Sequence, residues 1–434
     1  MENLLNSGSR ASMNTKKLDF RPFRAWRYHA GRVALSRVIA PPYDVISPEE
    51  REALYAKSPH NVIRLILGKE PDFYECARRH WETWSQEGIL AQDPHPALYL
   101  YEQTFHHPWD SRPMKRLAIV GTLHLEGSDA VLRHEATFAG PKQDRLLLLE
   151  KTRTNLSPIF GLYQDRDKTL SSLFSSYREQ PPLFEARDDQ GVFHRGWAVE
   201  KEKDQALIRN ILSDQKILIA DGHHRFETAL EYRRRMRQKF PALQKEAPFD
   251  FVMMALVAFE DEGLLVLPTH RVLRSLESVS RKSLIERLRH AFELQPTPAE
   301  KLFSELEKTP SREKVLGGYF GEEGSFLLRL KEPERIPESK IDALLLNSLI
   351  LENLAGLSGE KHERQVEYTR SSEEAIRTVR EGKAEAAFLL RSPDLKEIRA
   401  LADRGEMMPQ KTTYFYPNLA SGLFFYHHGE NDGS

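Results

Sequence analysis

Two histidines and an arginine stand side by side in the run DGHHRFETAL at residues 221–230. The apolar residues 217–220 before them predict a strand, and the spacing after them predicts a helix. A strand, a tight turn and a helix N-terminus bind phosphate, because unpaired backbone N–H groups and the positive end of the helix dipole meet there. Carboxylates would suit a helix start better than these cations, so the run predicts a phosphate-binding site.

The residues of this turn have separate predicted roles. Gly222 lets the turn close. His224 and Arg225 bind phosphate, and His223 and His224 take part in catalysis. Asp221 polarises a histidine or holds a metal ion and is also a catalytic candidate. The alternative is that Asp221 is an ordinary N-cap residue and that the histidines are exposed.

Two other segments each contain a pair of adjacent residues that could bind a ligand or take part in catalysis. Tyr43 and Asp44 follow a double proline, and a carboxylate beyond such a rigid turn suits a general base or a magnesium ligand, with Tyr43 contacting substrate. A turn in which Asp44 bonds its own backbone is the alternative. His270 and Arg271 end a predicted strand, where ligand-binding groups are common, and are candidates for binding a cofactor.

Two polar stretches complete the candidates. In the first, Glu135, Lys142 and Arg145 are predicted to contact a substrate, although a solvated loop and helix start explains them as well. In the second, Lys411 suits an anionic cofactor and Thr412 a substrate, and an ordinary polar loop is the alternative.

Composition excludes several classes of protein. With 40% hydrophobic and 29% charged residues, the 434-residue chain is typical of globular proteins of two or three domains. A net charge of −1 disfavours nucleic-acid binding by bulk charge. Cys76 is the one cysteine, so no internal disulfide can form. No apolar stretch is long enough for a membrane span, and the N-terminal residues do not resemble a signal peptide, so we expect a cytoplasmic protein.

The element pattern is irregular and predicts an α+β fold. Strands are predicted at 37–45 and 61–67, and a helix is predicted to begin after Ser47. The apolar run 251–259 predicts a buried strand that pairs as a hairpin with 264–267. Neither a P-loop nor a dinucleotide-binding fingerprint is present.

Six motifs in order resemble a bacterial family named domain of unknown function 1015, from about residue 18 to the C-terminus. They are IAPPYDVI at 39–46, HEATF at 134–138, KQDRLLL at 142–148, TNLSPIFGLY at 154–163, IADGHHRFETAL at 219–230 and MPQKTTYFYPNLASGL at 408–423. The family's tail usually has Pro-Lys where this chain has Pro417 and Asn418, whereas Lys411 is kept.

The turn itself resembles the nucleotide motif of the ParB/sulfiredoxin superfamily. Gly222, His224 and Arg225 match its Gly-x-His-Arg pattern, which holds nucleotide phosphates at a helix start. Sulfiredoxin has a catalytic cysteine where this chain has His223. The free serine kinases of the superfamily keep an Asp-Gly-His turn and phosphorylate a small amino acid. The resemblance implies a mixed-sheet ParB/sulfiredoxin-like α+β core with additional α/β segments at both ends. The predicted divisions are a disordered tail at 1–17, the core with insertions at 18–275, and an α+β domain at 276–434 whose tail returns to the core.

Three hypotheses follow for function. The first is a phosphotransferase that uses ATP or ADP, with CTP as an alternative, and Mg²⁺ to phosphorylate a small hydroxyl metabolite such as serine. Either Asp44 or Asp221 would be the base, and the other would hold the metal. The second is a non-catalytic nucleotide-binding switch. The third is a metal-dependent hydrolase built on His223, His224 and His270.

Overall fold

The computed structural model describes residues 17–135, 139–276, 279–310, 312–332, 341–357, 364–408 and 411–429. The predicted disordered tail therefore lies almost wholly outside the described residues, as do residues 136–138 and 409–410 of two motifs. Within the described residues, helices and strands mix and the largest sheet contains parallel and antiparallel pairs, so the predicted α+β class is confirmed.

The strands of the described residues form two main sheets and three small pairs. In chain order they are β1 Phe20–Arg21, β2 Trp26–Tyr28, β3 Leu90–Gln92, β4 Leu98–His106, β5 Pro113–His124, β6 Val131–Leu132, β7 Thr154–Asn155, β8 Ile159–Tyr163, β9 Phe184–Arg187, β10 Phe193–Val199, β11 Ile217–Asp221, β12 Phe251–Ala258, β13 Leu265–Leu267, β14 His270–Leu273, β15 Phe292–Pro296, β16 Val315–Tyr319, β17 Ser325–Leu330, β18 Val366–Thr369, β19 Ala386–Leu389, β20 Tyr414–Tyr416 and β21 Tyr426–His427.

The helices pack around these sheets. They are α1 Leu35–Val38, α2 Pro48–Lys57, α3 Ile63–Ile66, α4 Phe73–Gln86, α5 Ala139–Thr152, α6 Thr169–Arg178, α7 Glu202–Ser213, α8 His223–Lys239, α9 Arg281–Ala291, α10 Leu302–Glu307, α11 Asp342–Leu345, which continues as a π-helix at Leu346–Leu354, α12 Ser372–Arg380 and α13 Leu395–Asp403.

The first main sheet runs β6-β11-β8-β12-β5-β4-β10-β9, with β1 also paired to β5. The second runs β15-β17-β16-β19-β14-β18. Strand β12 is buried along its whole length at the centre of the first sheet, as its apolar sequence predicts. Strand β18 is at an edge of the second sheet, and β11 leads directly into α8. These two strands carry the walls of the candidate site.

The predicted hairpin between 251–259 and 264–267 is wrong. β13 pairs antiparallel with β20, near the C-terminus, and not with β12. The reason is that both edges of β12 are already occupied, by β5 on one side and β8 on the other. This pairing brings the C-terminal segment back to the middle of the chain, and isolated bridges join Ala40 to Ser421 and Trp26 to Phe425.

Two predicted strands near the N-terminus are also wrong. Residues 61–67 contain the one-turn helix α3, because the buried Asn61 side chain accepts a hydrogen bond from the Ile63 N–H at 3.0 Å and turns the backbone just before the helix. Residues 37–45 contain the end of α1, one bridge at Ala40 and a 3₁₀ turn at Tyr43–Val45. The prolines at 41 and 42 lack the N–H groups that a longer strand would need.

The helix predicted after Ser47 is present. Its capping box is complete, since the Ser47 hydroxyl accepts from the Glu50 N–H at 3.1 Å and the Glu50 carboxylate accepts from the Ser47 N–H at 2.9 Å. The proposed division of the chain at residue 275 stays a prediction. Within the described residues, no helix combines the length and the apolar character needed to cross a bilayer.

Candidate functional site

A cleft of about 760 Å³ lies between the start of α8 and the edge strand β18. One wall contains residues 220–225 and the turn at 43–47, and the opposite wall contains Thr269 and residues 366–371. Glu135 and the C-terminal segment around Lys411 complete it. The candidates that line the cleft are Tyr43, Asp44, Glu135, Asp221, Gly222, His223, His224, Arg225 and Lys411.

Gly222 begins α8 in the left-handed conformation, with φ of 95°, and no side chain caps the helix. A Cβ atom at this position would lie 3.0 Å from the guanidinium of Arg225. Glycine therefore suits this position for two reasons: it adopts positive φ without strain, and it has no Cβ atom to contact Arg225. Residues 223–225, which carry the first backbone N–H groups of α8, line the cleft, and no side chain caps these groups.

Asp221 is not an N-cap residue. Its Oδ2 accepts from Nη2 of Arg225 at 2.5 Å, one helical turn away, and Nη1 of Arg225 donates to the Pro158 carbonyl. These two contacts hold the guanidinium beside the helix start. The pair therefore keeps a cation and a carboxylate together at the point where the α8 N–H groups emerge.

His223 and His224 lie in different surroundings, as neighbouring residues at a helix start must. His223 is buried, its ring centroid is 4.6 Å from that of His134, and its Nε2 has no hydrogen-bond partner among the described residues. Burial, reinforced by the neighbouring imidazole of His134, lowers the pKa of His223 well below its usual value. His224 is partly exposed, and burial lowers its pKa while the Asp44 carboxylate opposes the shift.

Asp44 and Lys411 both line the cleft and form an ion pair there, with Nζ of Lys411 3.1 Å from Oδ2 of Asp44. Burial acts to raise the pKa of Asp44, but the charges of Lys411 and Arg225 outweigh it, so the pKa lies below its usual value. Burial likewise acts to lower the pKa of Lys411, and the Asp44 charge raises it overall. Both groups are therefore charged at neutral pH.

Glu135 fixes the segment that carries Lys411. Its Oε1 accepts from the backbone N–H groups of Thr412 and Thr413, each at 3.2 Å, and from the Thr413 hydroxyl at 3.1 Å. Its Oε2 accepts from the Lys411 N–H at 3.3 Å. Lys411 has φ of 57°, a conformation that these bonds hold in place. Glu135 therefore positions Lys411, and burial raises its pKa despite these bonds.

The opposite wall contains residues that sequence reasoning missed. Tyr368, Thr369 and Arg370 come from the end of β18, and Ser371 caps α12 by accepting from the Glu374 N–H at 3.1 Å. No local motif marks them, because they reach the cleft only through pairing of β18 with β14. Tyr414 and Asn418 also line the cleft and were within a motif recognised in sequence, although without an assigned role.

His270 and Arg271 do not line the cleft. His270 is fully buried, where Nδ1 accepts from the Leu390 N–H at 3.2 Å and the ring packs against Phe303. Arg271 is also fully buried, and its guanidinium lies behind the wall, 5.3 Å from the ring centroid of Tyr368.

Lys142, Arg145 and Thr412 also lie away from the cleft. Nζ of Lys142 is 2.8 Å from Glu227. Arg145 pairs with Asp144 at 2.5 Å, and its guanidinium lies 3.9 Å from the ring centroid of Tyr43, which places it behind that ring. Thr412 lines a separate cavity of about 80 Å³. No group of three or more His, Cys, Asp or Glu side chains in the described part of the chain is arranged to hold a metal ion.

The chain belongs to a family described as "Protein of unknown function (DUF1015)", whose model matches residues 20–350. The family resemblance is thereby confirmed, and five of the six motifs lie within the matched residues, whereas the motif at 408–423 lies beyond them. No curated protein matches the chain. The family defines a class of protein without assigning it an activity.

Solved structures resemble the chain at low identity. A conserved hypothetical protein from Pyrococcus furiosus is 18% identical, covering 68% of this chain and 93% of its own, with a TM-score of 0.34. A free serine kinase in complex with AMP is 17% identical, covering 68% and 89%, with a TM-score of 0.34. C-terminally truncated SbnI from Staphylococcus aureus is 11% identical, covering 68% and 83%, with a TM-score of 0.32. The case for function therefore depends on this chain's own residues.

Proposed function

We propose that the cleft binds a nucleotide and that its phosphates lie at the N-terminus of α8. The observation that carries this proposal is the uncapped helix start at Gly222, which opens into a cleft large enough for a nucleotide. Backbone N–H groups, the Arg225 guanidinium and the His224 imidazole would donate hydrogen bonds to phosphate oxygens. The buried, unpartnered Nε2 of His223 beside them gives independent support for a ligand at this turn.

The same cleft has the groups that phosphoryl transfer requires. The acceptor hydroxyl oxygen would form a bond to the terminal phosphorus, the bond from that phosphorus to the nucleotide oxygen would break, and the hydroxyl proton would pass to a carboxylate. Asp44 and Asp221 are the candidates for this base. Serine is the first acceptor to test, because the Asp-Gly-His turn resembles that of free serine kinases.

Mg²⁺ fits the carboxylates of this cleft. It prefers oxygen ligands and commonly takes one or two carboxylates together with phosphate oxygens. Whichever of Asp44 and Asp221 is not the base would supply that carboxylate, and the ion would neutralise charge on the phosphates. Lys411, held by Asp44, would add a second cation near the transferred group.

A nucleotide-binding switch without transfer is the second candidate. It is favoured by the position of the cleft, whose walls come from different sheets, so that one ligand contacts both. The metal-dependent hydrolase is not proposed, because His270 is buried outside the cleft and does not join His223 and His224.

Calorimetric titration of ATP, ADP, CTP and GTP with Mg²⁺ tests nucleotide binding. We expect one of them to bind the wild-type protein and His224→Ala to lose that binding while the circular dichroism spectrum is unchanged. His290→Ala is the matched control, since this exposed histidine is near the end of α9, away from the cleft. If no nucleotide binds the wild-type protein, the proposal is wrong.

Product analysis separates the two candidates once a nucleotide is known. The nucleotide that binds, whether a triphosphate or ADP, is incubated with Mg²⁺ and serine, and phosphorylated product is measured by mass spectrometry. We expect a phosphorylated acceptor with the wild-type protein and none with His224→Ala. Saturable binding with no phosphorylated product from serine or other small hydroxyl compounds would favour the switch.

A further inference from the structure

Most cations of the cleft already have a carboxylate partner. Lys411 pairs with Asp44, and Arg225 pairs with Asp221. Arg370, on the opposite wall, is exposed and has neither an ion pair nor a hydrogen bond within the described residues. It is therefore a cation in the cleft whose hydrogen-bonding groups are available to a ligand.

The guanidinium of Arg370 is nevertheless held in place. It lies over the ring of Tyr414, 3.4 Å from the centroid. Stacking covers the flat face of a guanidinium and leaves the N–H groups in its plane free, and these are the groups that bind a carboxylate through two parallel hydrogen bonds. The stack thus prepares Arg370 for an anionic oxygen pair at low entropic cost.

A second arginine adds positive charge behind the same wall. Arg271 is the register partner of Tyr368, and it is fully buried, with Nη1 donating to the Thr269 carbonyl. Its Nε and Nη2 have no hydrogen-bond partner among the described residues. Burial lowers the pKa of Arg271 to about 10, so it stays positive at neutral pH. A buried cation without a carboxylate partner is costly for a fold, and it makes this wall attractive to an anion.

We propose that Arg370 binds the carboxylate of the acceptor, so that the substrate class is small hydroxy acids. This inference rests on the proposed function, in which the nucleotide phosphates occupy the α8 wall. The β18 wall then has a fork-shaped donor at Arg370 and the buried charge of Arg271 behind it. An acceptor bound by its carboxylate on this wall would direct its hydroxyl towards α8.

The experiment compares hydroxy acids with counterparts that lack only the carboxylate. L-serine, L-threonine and glycerate are titrated by calorimetry against the full chain saturated with Mg²⁺ and a methylene analogue of the nucleotide that binds, which cannot transfer its terminal phosphate (α,β-methylene-ADP for ADP, the β,γ-methylene analogue for a triphosphate). Ethanolamine, 1-amino-2-propanol and ethylene glycol are titrated in parallel. We expect at least one acid to bind about tenfold or more tightly than its counterpart. Arg370→Ala should remove that preference and leave the affinity for the nucleotide analogue unchanged.

Two further variants separate charge from geometry. Arg370→Lys keeps the charge but lacks the planar fork, so we expect an acid affinity between those of wild type and Arg370→Ala. Arg377→Ala is the matched control, because Arg377 is exposed on the neighbouring helix α12 and does not line the cleft. It should leave both affinities unchanged. Circular dichroism and the thermal midpoint check that each variant is folded.

Four outcomes would overturn the proposal: no acid binds, acids and counterparts bind equally, Arg370→Ala leaves acid binding intact, or it weakens binding of the nucleotide analogue as much as binding of the acid. The last would assign Arg370 to the phosphates. If none of the four nucleotides binds the wild-type protein, the proposed function fails separately, and the acids are titrated alone. Acid binding that is lost in Arg370→Ala would then support the carboxylate site, and its absence would reject it.

Discussion

Helices α8 and α12 both begin at the cleft, and they differ in whether a side chain caps their first backbone N–H groups. At α12, the Ser371 hydroxyl accepts from the Glu374 N–H, and the first turn carries acidic side chains that suit the dipole. At α8, the position of the cap is taken by Gly222, and residues 223–225 bring imidazoles and a guanidinium where carboxylates would be expected.

This difference is the one expected between a helix start with a structural role and a helix start that binds a ligand. A serine cap is worth about 1 kcal/mol over alanine but only a few tenths of a kcal/mol over glycine, so α8 lacks a capping side chain at little cost to the fold. The adjacent His223 adds a buried nitrogen without a partner among the described residues, which is a further cost to the fold. A buried polar group without a partner calls for a physical explanation, and a bound ligand is one such explanation. The α12 start is complete by itself, and we infer that the α8 start is completed by phosphate.

Gly222→Ala should have the largest effect on this comparison. The new Cβ would meet the Arg225 guanidinium, and alanine at positive φ is strained by about 1–2 kcal/mol. We expect the turn to shift and nucleotide affinity to fall about tenfold or more, because the helix N–H groups no longer converge on the phosphates. Calorimetry measures the affinity, and chemical denaturation measures the free energy of unfolding.

Gly382→Ala is the matched control for that change. Gly382 follows α12 with φ of 71°, and a Cβ there would meet nothing within 4 Å. It should therefore reproduce the backbone strain without touching the cleft, lowering stability but not nucleotide affinity. If both alanine variants lost affinity equally, backbone strain alone would explain the loss and α8 would have no special role.

The parts of the fold that could be predicted from the sequence are those determined by residues close together in the chain. The capping box at Ser47 and the strand before Gly222 are read from neighbouring residues, and both are present. The partner of residues 265–267 was mispredicted because it depends on which edges of β12 are free, and residues about 150 positions away decide the outcome. Asn61 turned an apparent strand into a helix through a buried contact.

The same limit applies to the candidate site. The residues around α8 could be predicted, because a helix start bearing His223, His224 and Arg225 is unusual on chemical grounds alone. Arg370 could not, because its role depends on β18 being an edge strand and on Tyr414 lying beneath its guanidinium. Candidates such as His270 have suitable chemistry, but the fold buries them elsewhere.

Ser371→Ala should have a smaller effect, confined to stability. Loss of the hydroxyl leaves the Glu374 N–H without its cap, which costs about 1 kcal/mol of the free energy of unfolding. Because α12 contributes a cap and not a binding group, nucleotide affinity should not change. A marked loss of affinity in this variant, measured by the same calorimetry, would show that the two helix starts are not functionally distinct.

Glu135→Gln should have the smallest effect and concerns the carboxylate between the two walls. Because burial raises the folded-state pKa of Glu135, folding favours its neutral form. That contribution to stability is present below the unfolded pKa and is lost as pH rises through the folded pKa. The glutamine side chain of the variant does not titrate, so the stability of wild type relative to the variant should fall as pH rises above about 4.3, the usual pKa of a glutamate. Denaturation of both proteins over a series of pH values measures the difference, and a difference that rises with pH would mean that Lys411 and Arg271 stabilise the charge more than burial opposes it.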